Sequence, residues 1–294
     1  MNHQPDFLII GAMKCATSTL HDRLAMQPGI FMTELKEPNF FSNDEQYSKG
    51  MEWYLSHFQA ADKTDICGES STHYTKLPTY PHTVERIYRE FPNLKLIYVM
   101  RHPIDRLVSQ YIHEWSQRTI RVDINQAISQ HPELVEYSRY SMQLEPYLEM
   151  FGREKILPVF FERLLNYKQE ELERICRFIN YHQKPVWLEE NDVQNASSQR
   201  LKNSKLRDLI VEAPGLKEIR QNLIPKSWRT WVRSWWQMKD RPQIEPQNLE
   251  YLQSIFDRDL GVIGSWLGVE LSCENFKSKV MNRSINWSNE ECRN

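Results

Sequence analysis

The stretch FLIIGAMKCATSTL, residues 7–20, decides how the rest of the chain is read. Phe7 to Ile10 is a short apolar run of strand length. Gly11 permits a turn, and Thr17, Ser18 and Thr19 are residue types that open helices. A strand that runs into a turn and then a helix gathers backbone amides and hydroxyls at the positive end of the helix dipole, which suits an anion. A nucleoside triphosphate loop, G-x-x-x-x-G-K-[ST], needs its lysine directly after the second glycine. Here Lys14 comes three residues after Gly11 and Ala16 stands where a glycine is expected, so the chain does not match that motif. The segment reads either as a grip for a terminal phosphate or phosphosulfate, or as a plain helix cap with a lysine stem lying along the surface.

Two further runs, LKLIYVM at 94–100 and ILPVFF at 156–161, have strand length and β-branched or aromatic content. Helical periodicity lies between and after them. Residues 79–91 align Val84, Ile87, Tyr88 and Phe91, with Pro81 near the start and Pro92 beyond the end. Residues 140–151 align Leu144, Tyr147, Leu148 and Phe151, with Gly152 as C-terminal cap. Residues 168–179 align Leu172, Ile175, Cys176 and Ile179. Strands alternating with helices predict an α/β fold, a P-loop-like parallel sheet with helices on both faces and its ligand at the carboxyl ends of the strands. The loop at residues 11–16 falls at that edge.

The formal net charge of −2 gives no global attraction for nucleic acid, so an anion site has to be local. The opening residues lack the basic and apolar regions of a secretory signal, and no apolar run is of bilayer length, so a cytoplasmic protein is the simplest expectation. The five cysteines, widely spaced and without a CxxC pair, predict free thiols and no metal site.

A second segment, LKLIYVMRHPIDRLVSQY at 94–111, ends its strand at Arg101, opens a helix at Pro103 and carries Ser109 two turns along. A strand-terminal arginine and a helix hydroxyl at one sheet edge suit a second phosphate. The pair KCATSTL and RHPIDRLVSQY resembles the sulfotransferase family that uses 3′-phosphoadenosine 5′-phosphosulfate (PAPS). KEPNFF (36–41), GESSTHY (68–74), the run 139–164 and NASSQRLKNSKL (195–206) follow in the order of bacterial members similar to the heparan-sulfate-type enzymes. The resemblance covers about residues 5–270; it implies a sulfotransferase domain over 1–270, with 271–294 read as a loose tail.

The resemblance implies the following roles. Lys14 contacts the oxygen bridging phosphate and sulfate, while Cys15, Ala16, Thr17, Ser18 and Thr19 hold the 5′-phosphate through their amides and hydroxyls. Arg101 and Ser109 hold the 3′-phosphate, joined by Arg200 or Lys202 from a later loop. Glu37 is the candidate general base and His73 the alternative, with Lys36 read as a solvated charge. No metal is required, the product is 3′-phosphoadenosine 5′-phosphate (PAP), and the acceptor is a hydroxyl or amine of a carbohydrate or glycolipid. Two departures stand out: Ala16 replaces a glycine, which is tolerable if its φ stays negative, and Ser70 stands where the heparan-type enzymes commonly place a catalytic lysine.

Residues 225–244 hold four tryptophans among basic residues, and 226–237 reads as an amphipathic helix that packs as a lid, lines an acceptor cleft or lies on a membrane surface. The rival functions are a P-loop-type small-molecule kinase and a noncatalytic nucleotide-sulfate-binding protein.

Overall fold

The computed structural model describes residues 3–188 and 241–288. Five strands, β1 (Phe7–Gly11), β2 (Ile30–Met32), β3 (Ile66–Ser70), β4 (Lys95–Met100) and β5 (Ile156–Phe160), form one sheet in the order β2-β3-β1-β4-β5. Every pairing is parallel. Helices α1 (Thr17–Ala25), α2 (Asp44–Tyr47), α3 (Gly50–Ser56) and α4 (Thr83–Glu90) precede β4; α5 (Pro103–Ser116), α6 (Ile124–Gln130), α7 (Glu133–Glu136) and α8 (Tyr140–Phe151) separate β4 from β5; α9 (Phe161–Asn166), α10 (Lys168–Phe178), α11 (Pro246–Leu267) and α12 (Phe276–Asn282) follow.

The expected α/β architecture is present. Successive residues of a strand point to opposite faces, and Phe7 through Ile10 and Leu96 through Met100 are all fully buried, so both faces of the sheet are covered. Helix α4 starts later than its periodicity suggests because Tyr80 precedes Pro81 and is kept out of helical geometry. It stops at Glu90, one residue short of the position before Pro92. Gly152 takes φ 77 after α8, the conformation that suits glycine as a cap.

The segment from residue 271 departs from the loose tail expected. Leu271, Cys273, Phe276, Val280 and Ile285 are buried, and Phe276 and Val280 lie one helical turn apart on α12. The tail is also tied by hydrogen bonds: Arg163 donates to the Met281 carbonyl at 3.1 Å, and the Trp287 indole to that of Ile156 at 2.6 Å. Among the described residues no helix is long and apolar enough to cross a membrane. Arg200, Lys202 and the tryptophan-rich stretch lie outside the described residues.

Parallel strands bring their carboxyl ends to one edge. β1 ends at Gly11, where an added Cβ would stand 2.0 Å from Oγ1 of Thr75. That threonine donates to the Ile10 carbonyl at 2.8 Å, so the turn after β3 clamps directly onto the end of β1. β4 ends beside Arg101 and β5 beside Phe161.

Candidate active site

The loop after β1 is held from behind by two arginines. Arg106, fully buried on α5, donates to the carbonyl of Met13 at 3.4 Å as well as to Ser138, Gln110 and the Leu134 carbonyl. Arg101 donates to the carbonyl of Lys14 at 3.3 Å. With these carbonyls drawn inward, Lys14 takes φ 71 and Ala16 φ 63. The requirement for negative φ at Ala16 is thus not met: the residue sits in the left-handed region that normally selects glycine, directly before α1. We expect Ala16→Gly to raise stability by up to about 1 kcal/mol while keeping the loop's shape, read from urea unfolding midpoints.

Helix α1 has no side-chain cap and no acidic residue in its first turn. The Leu20 amide makes the first intrahelical bond, to the Ala16 carbonyl, which leaves the amides of Thr17, Ser18 and Thr19 as an open helix N-terminus. The amide of Cys15 is engaged within the turn, donating to the Ala12 carbonyl at 3.2 Å. Burial pushes the Cys15 thiol up to about 12, so this cysteine is inert filling beneath the loop.

Glu37 is carried on a loop anchored by its neighbours. Phe40 and Phe41 are fully buried; Phe40 stacks on Tyr54 with ring centroids 4.8 Å apart, and Phe41 meets Tyr74 edge-on at 5.7 Å. Two buried phenylalanines contribute about 1.5–3 kcal/mol each, enough to hold the preceding residue in a strained conformation. Glu37 has φ 58, and its amide donates to the Ser70 carbonyl at 3.0 Å, which fixes it at the end of β3. Thr72 donates to its Oε2 at 3.1 Å, and the Lys36 ammonium lies 3.3 Å from its Oε1. The same ammonium donates to Oγ of Ser18 at 2.6 Å. Lys36, expected to be a solvated charge, therefore ties the glutamate loop to the helix N-terminus.

These groups share a cleft of about 540 Å³ at the strand edge. Lys14, Ala16, Thr17, Ser18, Glu37 and His73 all line it. Cys15 is buried beneath the cleft, and Thr19 is exposed outside its lining. Arg101 and Ser109 lie on the adjoining β4–α5 segment, outside the lining as well. The cleft also contains Thr72, Lys76, His113, Glu114 and Phe161, which the sequence reading did not single out. A larger groove, about 800 Å³, runs between the α6–α8 segment and α11 and holds none of the expected residues.

Burial and the Arg101 guanidinium hold the Lys14 ammonium below its ordinary range. His73 is pushed down to about 4, by burial first and by Lys76 second, and its ring stacks on Tyr80 with centroids 5.0 Å apart. Its Nδ1 is buried without a hydrogen-bond partner, so the ring is packed into the cleft wall. The serine at position 70 is fully buried, with its Oγ 2.9 Å from Nδ1 of His21, and is not among the residues lining the cleft.

Next to it, Glu69 is fully buried, with Tyr54 and Tyr74 donating to its Oε2 at 3.2 and 3.0 Å. Burial raises its carboxyl from 4.5 to about 7. Between those values the folded protein holds a proton that the unfolded chain has lost, so this group makes stability fall as pH rises. Glu69→Gln is expected to flatten that fall, seen by comparing urea midpoints of the two proteins at about pH 5 and about pH 8.

The site geometry combines an open helix N-terminus, a lysine in the loop before it and a carboxylate lining the same cleft. The model of the sulfotransferase domain matches residues 4–211. The chain belongs to the sulfotransferase family. It is 30% identical over 188 residues to heparan sulfate glucosamine 3-O-sulfotransferase 5 of Mus musculus, covering 60% of this chain and 53% of that protein. It is 34% identical over 110 residues to the membrane-associated sulfotransferase kil1 of Dictyostelium discoideum, covering 36% and 22%. The chain thus spans about half, or less, of the length of these relatives. The solved sulfotransferase from Alicyclobacillus acidocaldarius shares the fold, with TM-score 0.56 and 23% identity over 77% of this chain and 99% of that one.

Proposed function

We propose that this sulfotransferase moves the sulfuryl group of PAPS to a hydroxyl or amine of a carbohydrate acceptor. The observation that carries the reading is the placement of Lys14 and Glu37 in one cleft, with the open N-terminus of α1 beside them. The residues fit the donor. Among the described residues Lys14 has no carboxylate partner within ion-pair distance, α1 offers uncapped amides, and the Arg101 Nε is buried without a hydrogen-bond partner. A doubly phosphorylated nucleotide supplies anionic oxygens for all three.

In this reading the amides of Thr17, Ser18 and Thr19 hold the 5′-phosphate. Arg101 and Ser109 hold the 3′-phosphate, joined by Arg200. Lys14 faces the bridging oxygen, where negative charge grows as the sulfur–oxygen bond breaks. Glu37 takes the proton of the acceptor hydroxyl as its oxygen bonds to sulfur, so the proton stays on Glu37 and PAP leaves with the bond's electron pair. Thr72 and Lys36 orient the carboxylate for that role. A carbohydrate acceptor is supported by the name of the heparan sulfate relative.

The test is incubation with PAPS carrying radiolabelled sulfate, heparan sulfate or N-desulfated heparan as acceptor, and separation of polymer from nucleotide. Label in the polymer supports the reading. Binding of PAP with label in none of a broad carbohydrate panel contradicts it and favours a noncatalytic binding protein.

A further inference from the structure

Lys76 follows the turn after β3 and is half-buried in the cleft wall. Among the described residues its ammonium has no carboxylate within ion-pair distance, and the nearest recorded partner is the face of Tyr137, 5.7 Å away, near the limit of a cation–π contact. A long side chain that surrenders water without gaining a counter-ion costs stability, so a fold that keeps one in its cleft leaves it ready for an anion.

The surroundings say which part of the cleft it serves. Glu37 and Glu114 both act electrostatically on Lys76, and Glu114 also acts on Lys14. His113, next to Glu114 on α5, feels Lys14, Glu114, Lys76 and Glu37 together. Lys76 therefore belongs, with Lys14, Glu37, His113 and Glu114, to one group of charges lining the cleft. In an in-line transfer the leaving oxygen lies on one side of the sulfur and the attacking hydroxyl on the other. The non-bridging sulfuryl oxygens project sideways between them, toward the walls.

We propose that Lys76 is a second catalytic cation, whose ammonium holds a non-bridging oxygen of the sulfuryl group while Lys14 holds the bridging oxygen. This rests on the PAPS reading given above. Burial pushes the Lys76 ammonium down to about 8, which leaves it mostly protonated at neutral pH and lightly hydrated, as such a contact needs. The role explains how the chain manages with a buried serine at position 70: the positive charge comes from a residue six positions later, just past the turn that follows β3.

PAPS and PAP differ in the sulfuryl group, so their affinities isolate this contact. Calorimetric titration of the full chain with each, at low temperature, compares wild type with Lys76→Met and Lys76→Arg. Lys76→Met is expected to weaken PAPS about tenfold and PAP less than about twofold, the share of one charge-assisted hydrogen bond, and Lys76→Arg to restore most of the loss. Equal weakening of both ligands, or no change in either, overturns the proposal; in the second case a rise in acceptor KM in the heparan assay would place Lys76 on the acceptor instead. If wild type binds neither nucleotide, it is the PAPS reading that fails. Urea unfolding of Lys76→Met, expected to show a midpoint at or above that of wild type, separates loss of contact from loss of fold.

Discussion

Replacing Glu37 by glutamine is expected to lower the transfer rate by about 10²- to 10⁴-fold, with PAP affinity within about twofold of wild type. Glutamine keeps the size of the side chain and can still accept from Thr72, so the loop anchored by Phe40 and Phe41 keeps its place. What disappears is the capacity to take a proton from the attacking hydroxyl. His73→Asn makes the matched comparison. The His73 ring stacks on Tyr80 and its Nδ1 is buried, so its replacement is expected to change the rate by less than about tenfold. The opposite ranking of the two variants moves the base to His73. Both measurements use the heparan assay alongside calorimetry, so that a rate effect is separated from lost nucleotide binding.

The second large effect is expected at Lys14. Lys14→Ala removes the cation placed where charge develops on the leaving oxygen, and a loss of about 10²- to 10³-fold in rate is the usual scale for one such electrostatic contact. Because Lys14 meets a phosphate-bridging oxygen in the ground state as well, PAP binding should also weaken, which distinguishes it from Glu37→Gln. The backbone of the loop should survive. The carbonyls of Met13 and Lys14 stay tied to Arg106 and Arg101, and alanine in place of Lys14 removes no side-chain hydrogen bond within the described residues.

The sheet was only partly legible from the sequence. β1, β4 and β5 read as continuous apolar runs because both faces of these strands are buried. β2 has three residues, and β3 carries Gly68, Glu69 and Ser70, so neither shows a strand pattern. Glu69 is tolerated inside because two tyrosine hydroxyls meet it, and those tyrosines come from positions 54 and 74. A partner brought by folding leaves no periodic trace near the residue it satisfies. The packed tail was obscured for a related reason, since Phe276 and Val280 are surrounded by polar residues in sequence and find their apolar partners elsewhere in the chain.

The site shows the same division. KCATSTL marks a helix N-terminus by composition, and Glu37 and His73 do meet the loop at one cleft. The left-handed backbone at Lys14 and Ala16 depends on carbonyls pulled back by arginines some ninety residues later, which no local rule anticipates. Lys36 looked like one more surface lysine, and only the approach of Ser18 gives it a bridging role. Lys76 stands only three residues after His73, but nothing local marks a lysine there as lining the cleft until the fold places it beside Lys14 and Glu37.

In the proposed function the loop after β1 and the arginine after β4 grip a nucleotide with phosphates at both the 5′ and 3′ positions. Calorimetric titration of the full chain with PAP, in parallel with ATP plus magnesium and with a Lys14→Ala/Arg101→Ala variant, tests it most directly. The account predicts tight binding of PAP by the wild type, weak or absent binding of ATP, and loss of PAP binding in the variant. Tighter binding of ATP than of PAP, or PAP binding that survives both substitutions, would contradict it.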